Sequence, residues 1–361
     1  MDKLLIKIAI KLSSPLVKGV LQAVVPLLVF LRPFLISFKS ICLTSSVVGY
    51  LPRSSRGWIL EFLFQDLAKY SCKSEFILCS NLLSVALIFC RSEKCVILAM
   101  HQSLATELVE LGFPDCSIVS WYTHSRITQR LSHRTLVKIS KWLPMNSSEF
   151  NTLVMAGVPA NKIDVFPLGY DDTMFNIDND QNSDREIDIL FACRYVASNN
   201  AHYHSRKNYD LIVSVAEYFL SVGYTVAILG SGWRERFKHS SSSLKIFELP
   251  HHESPSIYRN SKLLLGLSLF EGGPVSWLEA MASGCLTLSC PSGFPLDHIN
   301  SESGSYLLSP RPSKEEVISI ANQLLECYSC VGIRSMQDRR KKFLSLSTFK
   351  CLAGKLEDLV I

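Results

Sequence analysis

Short runs of Val, Ile and Leu recur along the chain, separated by longer stretches in which apolar residues return every three or four positions. Continuous apolar runs of strand length suit strands buried on both faces, and the longer period suits crossover helices. The pattern therefore predicts parallel sheets covered by helices, an α/β class. In the first half, strands are expected at Ile41–Val48, Glu75–Cys79, Val85–Cys90, Cys95–Met100, Cys116–Tyr122 and near Trp142–Met145. Helices are expected at Gly57–Tyr70, Leu104–Leu111 and Ser147–Ala156, the last stopped by Gly157-Val158-Pro159.

The polar stretch from Asn176 to Arg185 is the clearest linker. Beyond it a second series follows, with strands at Ile187–Cys193, Thr225–Leu229, Leu244–Glu248, Leu263–Leu267 and Leu286–Cys290. Helices are expected at Tyr209–Val222, Ser254–Asn260, Val275–Ser283, from Lys314 to about Cys327, and through an amphipathic tail, Ser335–Ile361. Two doubly wound domains are implied. The division expected is a leader at 1–40, a first domain at 41–175, a linker at 176–186, a second domain at 187–334 and a helical segment at 335–361. The run Ser240–Ser243 is the one low-complexity stretch and reads as a mobile loop.

Composition narrows the class. With 361 residues, 48% hydrophobic and 19% charged, the chain can fill two cores and carries no disorder signature. A net charge of +5 suits an anionic substrate or lipid surface and excludes a nucleic-acid binder as the main reading. Twelve cysteines scattered through apolar runs read as reduced thiols of a cytoplasmic protein. Cys327 and Cys330 lack the second pair a zinc site needs, and no metal is expected. The leader, Met1–Ser40, is apolar and basic, with Pro15, Pro26 and Pro33 interrupting it. Its longest uncharged run is too short to span a bilayer. Two readings stand open: a segment lying on an anionic membrane at the cytoplasmic face, or a helical hairpin packed on the first domain.

Chemistry concentrates in the segment from Ser268 to Gly284, where an apolar strand turns on glycines and enters a helix. Gly272 and Gly273 let backbone N–H groups approach a diphosphate, and the helix opening at Pro274-Val275 points its positive end there. Glu279 lies in the first turns of that helix, placed to accept hydrogen bonds from ribose hydroxyls, and Glu271 lies before the loop. A lone Glu pair would more often be a helix cap and a solvated loop residue. The wider pattern, Glu271-Gly-x6-Glu279-Ala-Met-Ala-x-Gly284, resembles the donor motif of the family 4 (group 1) retaining glycosyltransferases.

The resemblance runs from about Gly57 to the C-terminus. It implies the GT-B fold, two facing Rossmann-like domains with the active site in the cleft between them, and the last segment as a candidate to cross back. It also implies that Glu271 contacts the transferred sugar and Glu279 the ribose. Ile187-Asp-Ile-Leu-Phe-Ala-Cys-Arg194 is similar to the family's first C-terminal strand, which makes Arg194 a diphosphate contact. The accompanying lysine follows an enlarged loop at 195–204, so either Lys207 or Arg206 fills the role, Lys207 being favoured. Ile118-Val-Ser-Trp-Tyr-Thr-His124 resembles the strand end that presents a histidine to the donor sugar, and His101 is its competitor. Gly57 matches the family's glycine loop through a single glycine. His202, His204, His251 and His252 are expected to be solvated loop residues.

The implied reaction transfers a hexosyl group from a nucleotide-diphosphate sugar to a saccharide, lipid-linked or other hydroxyl acceptor, with retention. No cofactor or metal is required, because Arg194 and Lys207 would offset the leaving diphosphate's charge. Two rivals remain: a nucleotide-sugar epimerase or hydrolase on the same fold, and a non-catalytic sugar-nucleotide-binding protein.

Overall fold

The computed structural model describes residues 15–37, 43–52, 59–122, 133–177, 185–196, 201–237, 242–293, 295–299, 304–328 and 333–359. The chain forms two compact units, one comprising Met1–Pro167 with Phe349–Ile361 and the other Leu168–Thr348.

The first unit is built on a parallel sheet of five strands: β1 (Leu43–Tyr50), β2 (Glu75–Cys79), β3 (Ser92–Ala99), β4 (Ile118–Tyr122) and β5 (Lys141–Pro144), in the order β2-β1-β3-β4-β5. β1 lies between β2 and β3 and runs parallel to both. The β2-to-β3 connection must therefore return the chain to its starting end, which takes a crossover helix. That requirement corrects the expected strand at Val85–Cys90, which is part of a helix, Leu82–Arg91. Asn81 caps this helix by accepting from the Ser84 N–H at 2.8 Å. An apolar run wide enough to face both sheet and outer helix reads equally as strand by composition alone.

Among the leader's described residues lies a helix, Pro15–Ser37, which runs through Pro26 and Pro33 instead of being interrupted by them. Val25 is fully buried, and Leu21, Leu28 and Val29 pack on the first unit's core. Arg32 turns inward, donating to the Ser92 and Glu93 carbonyls at 3.0 and 3.1 Å and lying 4.3 Å over the Phe89 ring. Tertiary packing holds a helix whose two prolines each remove a backbone donor. Among the described residues no helix is long and apolar enough to cross a membrane.

The second unit carries a six-stranded parallel sheet: β6 (Ile187–Ala192), β7 (Val226–Leu229), β8 (Leu244–Phe247), β9 (Ser261–Gly266), β10 (Leu286–Ser289) and β11 (Ser305–Leu307), in the order β11-β10-β9-β6-β7-β8. Successive connections leave β6 on opposite sides, so a topological switch point lies between β6 and β9. Leu168 begins this unit, ahead of the polar stretch where the sequence suggested a division. Phe175 accounts for the difference: it is buried edge-on against Tyr258, ring centres 5.7 Å apart. The tail also divides, Ile333–Leu346 lying in the second unit and Phe349–Glu357 in the first.

Glu357 fastens that last helix to the turn before β2. Its carboxylate accepts from the Cys72, Lys73 and Ser74 N–H groups at 2.8, 2.6 and 3.0 Å and from the Ser71 hydroxyl at 2.7 Å. Burial works to raise this carboxyl, but the four hydrogen bonds outweigh it and hold it below its usual value. A depressed carboxylate stabilises the fold above its unfolded-state pKa and loses that contribution as pH falls through the folded value. Glu357→Ala should therefore destabilise the first unit by about 2–3 kcal/mol at pH 7. Denaturant unfolding should show the gap closing in acid.

Candidate functional site

The switch point brings together the chain ends after β6 and β9. After β6, the Cys193 carbonyl accepts from the Trp233 indole at 2.7 Å and the Arg194 carbonyl from the Tyr209 hydroxyl at 2.6 Å. Gly230, at φ 145°, passes so close that a Cβ there would strike the Cys193 carbonyl. These contacts fix the backbone and leave the Arg194 side chain exposed at the strand's end. Burial pushes the Cys193 thiol up to about 12, so it is neutral at pH 7.

Asn208 adopts a left-handed conformation, φ 56° and ψ 41°, which ends the helix Ala201–Lys207 and starts Tyr209–Ser221 in a new direction. The Leu269 N–H donates to the Arg206 carbonyl at 2.8 Å, tying that break to the loop after β9. Lys207 Nζ consequently meets Glu271 Oε1 in an ion pair, both side chains largely buried. Of Arg206 and Lys207, it is Lys207 that reaches Glu271. The Glu271 N–H donates to Ser292 Oγ at 2.5 Å. Gly293, at φ 73°, lies where a Cβ would stand 2.7 Å from the Gly272 carbonyl.

Gly272, Gly273 and Pro274 lead into the helix Val275–Ala282. Its first N–H groups have no carbonyl within the helix to bond, and its N-terminus carries positive partial charge. Two buried arginines serve the opposite end. Arg340 Nη1 donates to the Met281 carbonyl at 2.8 Å and Arg185 Nη2 to the Ser283 carbonyl at 2.9 Å. Glu279 sits inside this helix with 3% of its surface exposed. Its Oε1 lies 2.5 Å from His251 Nε2. Burial, and then the neighbouring Glu279, push the Tyr258 hydroxyl well above its usual value.

His251 corrects the expectation of a solvated loop residue: its ring also lies 5.4 Å from the Phe175 ring. His252 is exposed beside Glu253, and His204 Nε2 is bonded at 2.8 Å to the Val196 carbonyl. His101 is a helix cap, its Nδ1 accepting from the Ser103 N–H at 3.2 Å. His124, Gly57, Cys330 and most of the linker lie outside the described residues, as do His202's side chain and part of the Ser240–Ser243 loop. Among the described residues no group of three His, Cys, Asp or Glu side chains could hold a metal ion.

Residues 194–342 match the sequence profile of the family described as glycosyl transferases group 1. A search of curated proteins finds no match. Among solved structures, Anabaena HepE in complex with UDP and glucose superposes with a TM-score of 0.61 at 12% identity, covering 87% of this chain and 98% of that one. The sucrose-phosphate synthase of Thermosynechococcus elongatus gives 0.66 at 11% identity, with 87% and 98% covered. The lipopolysaccharide outer core galactosyltransferase WaaB gives 0.60 at 12% identity, with 88% and 99% covered. The likeness shows a shared fold: two parallel-sheet, Rossmann-like α/β domains of the GT-B kind.

Proposed function

We propose that the chain is a glycosyltransferase that takes a hexosyl group from a nucleotide-diphosphate sugar and transfers it, with retention, to a hydroxyl acceptor. The observation that carries this reading is the Lys207–Glu271 pair, set beside the glycine loop and helix N-terminus of the β6/β9 switch point. Arg194 and Lys207 bind the diphosphate and offset the charge that develops as the glycosidic bond breaks, the work a metal does elsewhere. Gly272, Gly273 and Val275 offer backbone donors to the phosphates, Glu279 accepts from the ribose, and Glu271 holds the sugar. HepE's complexes with UDP and UDP-glucose make UDP-hexoses the first donors to try.

The test is incubation with UDP-hexoses and a panel of saccharide and lipid-linked acceptors, with product anomers read by NMR. A glycoside of unchanged anomeric configuration supports the reading. Free sugar or an epimer as the sole product supports the first rival, and binding without turnover supports the second.

A lipid-linked acceptor agrees with the outer face of the leader helix, where Val20, Leu27, Phe30 and Leu31 are exposed, Phe30 by 71%. We propose that this face rests on an anionic membrane at its cytoplasmic side. Because Val25 belongs to the core, deleting the leader would unfold the first unit, and substitutions are the cleaner test. Leu27→Glu with Phe30→Glu should cut sedimentation with anionic liposomes at least several-fold. Undiminished sedimentation would remove the idea.

A further inference from the structure

Glu279 presents a physical problem that its neighbours answer. A carboxylate with almost no exposed surface loses its hydration, and an unpaired one would be strongly unfavourable. His251 Nε2 lies 2.5 Å from its Oε1 and can donate to it. A donor from a different element restrains the direction in which that oxygen faces. A carboxylate has roughly four acceptor positions, so this contact does not exhaust its capacity.

Two neighbours of Glu279, Tyr258 and His251, differ in exposure. Tyr258 is buried, whereas the His251 side chain is 44% exposed. The imidazole is held from behind. Phe175 lies against it with rings 5.4 Å apart and tilted by 37°, and Phe175 is itself set at 75° to Tyr258. Pro250 opens the short 3₁₀ turn His251–Glu253 and sets the backbone from which the imidazole projects.

We propose that His251 is the positioning residue for ribose recognition: its Nε2–H aims the Glu279 carboxylate at the ribose hydroxyls, so the His251–Glu279 pair sets selectivity for ribonucleotides. This rests on the donor-site reading and adds a residue to it. Glu279 is buried in its helix, and His251 decides which way its carboxylate faces.

The experiment measures the affinities of UDP and 2′,3′-dideoxy-UDP by calorimetry, with GDP and its dideoxy form as a second pair. Wild type should prefer the ribonucleotide roughly 10- to 100-fold, the worth of hydrogen bonds to a charged acceptor. His251→Ala should bring that ratio below about 3-fold, and His251→Gln, whose amide can donate to the same oxygen, should restore most of it. Glu279→Ala should also abolish the ratio, and the double variant should lose nothing further. A purely structural role would weaken both nucleotides alike and leave the ratio intact, and that result in His251→Ala overturns the proposal. If His251→Ala keeps the ratio and Glu279→Ala loses it, the inference fails and the donor site stands. If wild type binds neither pair, the donor reading fails and takes the inference with it.

Discussion

Lys207→Met should lower kcat for sugar transfer by roughly a hundred- to a thousandfold, about 3–4 kcal/mol of transition-state stabilisation, with a much smaller change in donor KM. The asymmetry follows from when the charge appears. The bound donor's diphosphate is already anionic, but the leaving group gains further negative charge as the glycosidic bond breaks. A cation fixed beside it therefore contributes most in the transition state. Fixing is what the structure supplies. Lys207 ends its helix at the left-handed Asn208 and is held on Glu271 in a largely buried ion pair. Lysine is otherwise a flexible point charge that would spend its freedom on reaching the site.

Lys207→Arg keeps the charge but carries a longer, planar head into the same space and should recover only part of the activity. Glu271→Gln tests the other half of the pair, and the double variant should fall well short of the sum of the singles because the residues act as one unit. Equal kcat in Lys207→Met and wild type would show that the pair merely holds two loops together.

The sequence pattern made the two sheets legible because both are parallel and buried on both faces, which writes each strand as a short apolar run. The helix Leu82–Arg91 escaped that reading for the same reason. It is apolar nearly all round, and its identity follows from the strand order, which no local window contains. The loop Glu271–Pro274 and its helix were legible because glycines, proline and helix register are local features. His251 was not. It lies 28 positions from Glu279, on another element, and the two meet beyond the C-terminal ends of β8 and β9, strands of one parallel sheet. The leader's outcome was likewise a tertiary matter. Arg32 counted toward a basic surface in the sequence, yet its guanidinium faces two carbonyls and a phenyl ring inside the first unit.

Arg340→Ala should be among the most destabilising substitutions in the second unit, at about 3–5 kcal/mol, combining a large cavity with lost hydrogen bonds from a charged donor. Arg340 is almost wholly buried. Besides the Met281 carbonyl, its Nη2 meets the Cys285 and Gly304 carbonyls at 2.9 and 3.3 Å. Burial pulls the guanidinium below its ordinary value, still far above neutrality, so the charge persists at pH 7. Backbone carbonyls at the negative end of the helix Val275–Ala282 offset its desolvation. Arg340→Met, which keeps most of the volume, should cost less and separates packing from charge. Arg340→Lys keeps the charge without the fork that spans several carbonyls, and should fall between them. Hydrogen exchange across residues 281–289 would read the effect in the second unit alone, without assuming that both units unfold together. A loss below about 1 kcal/mol in Arg340→Ala would mean that water replaces the guanidinium at those carbonyls. The expected loss would instead show that the helix presenting Glu279 is anchored from its far end by this buried cation.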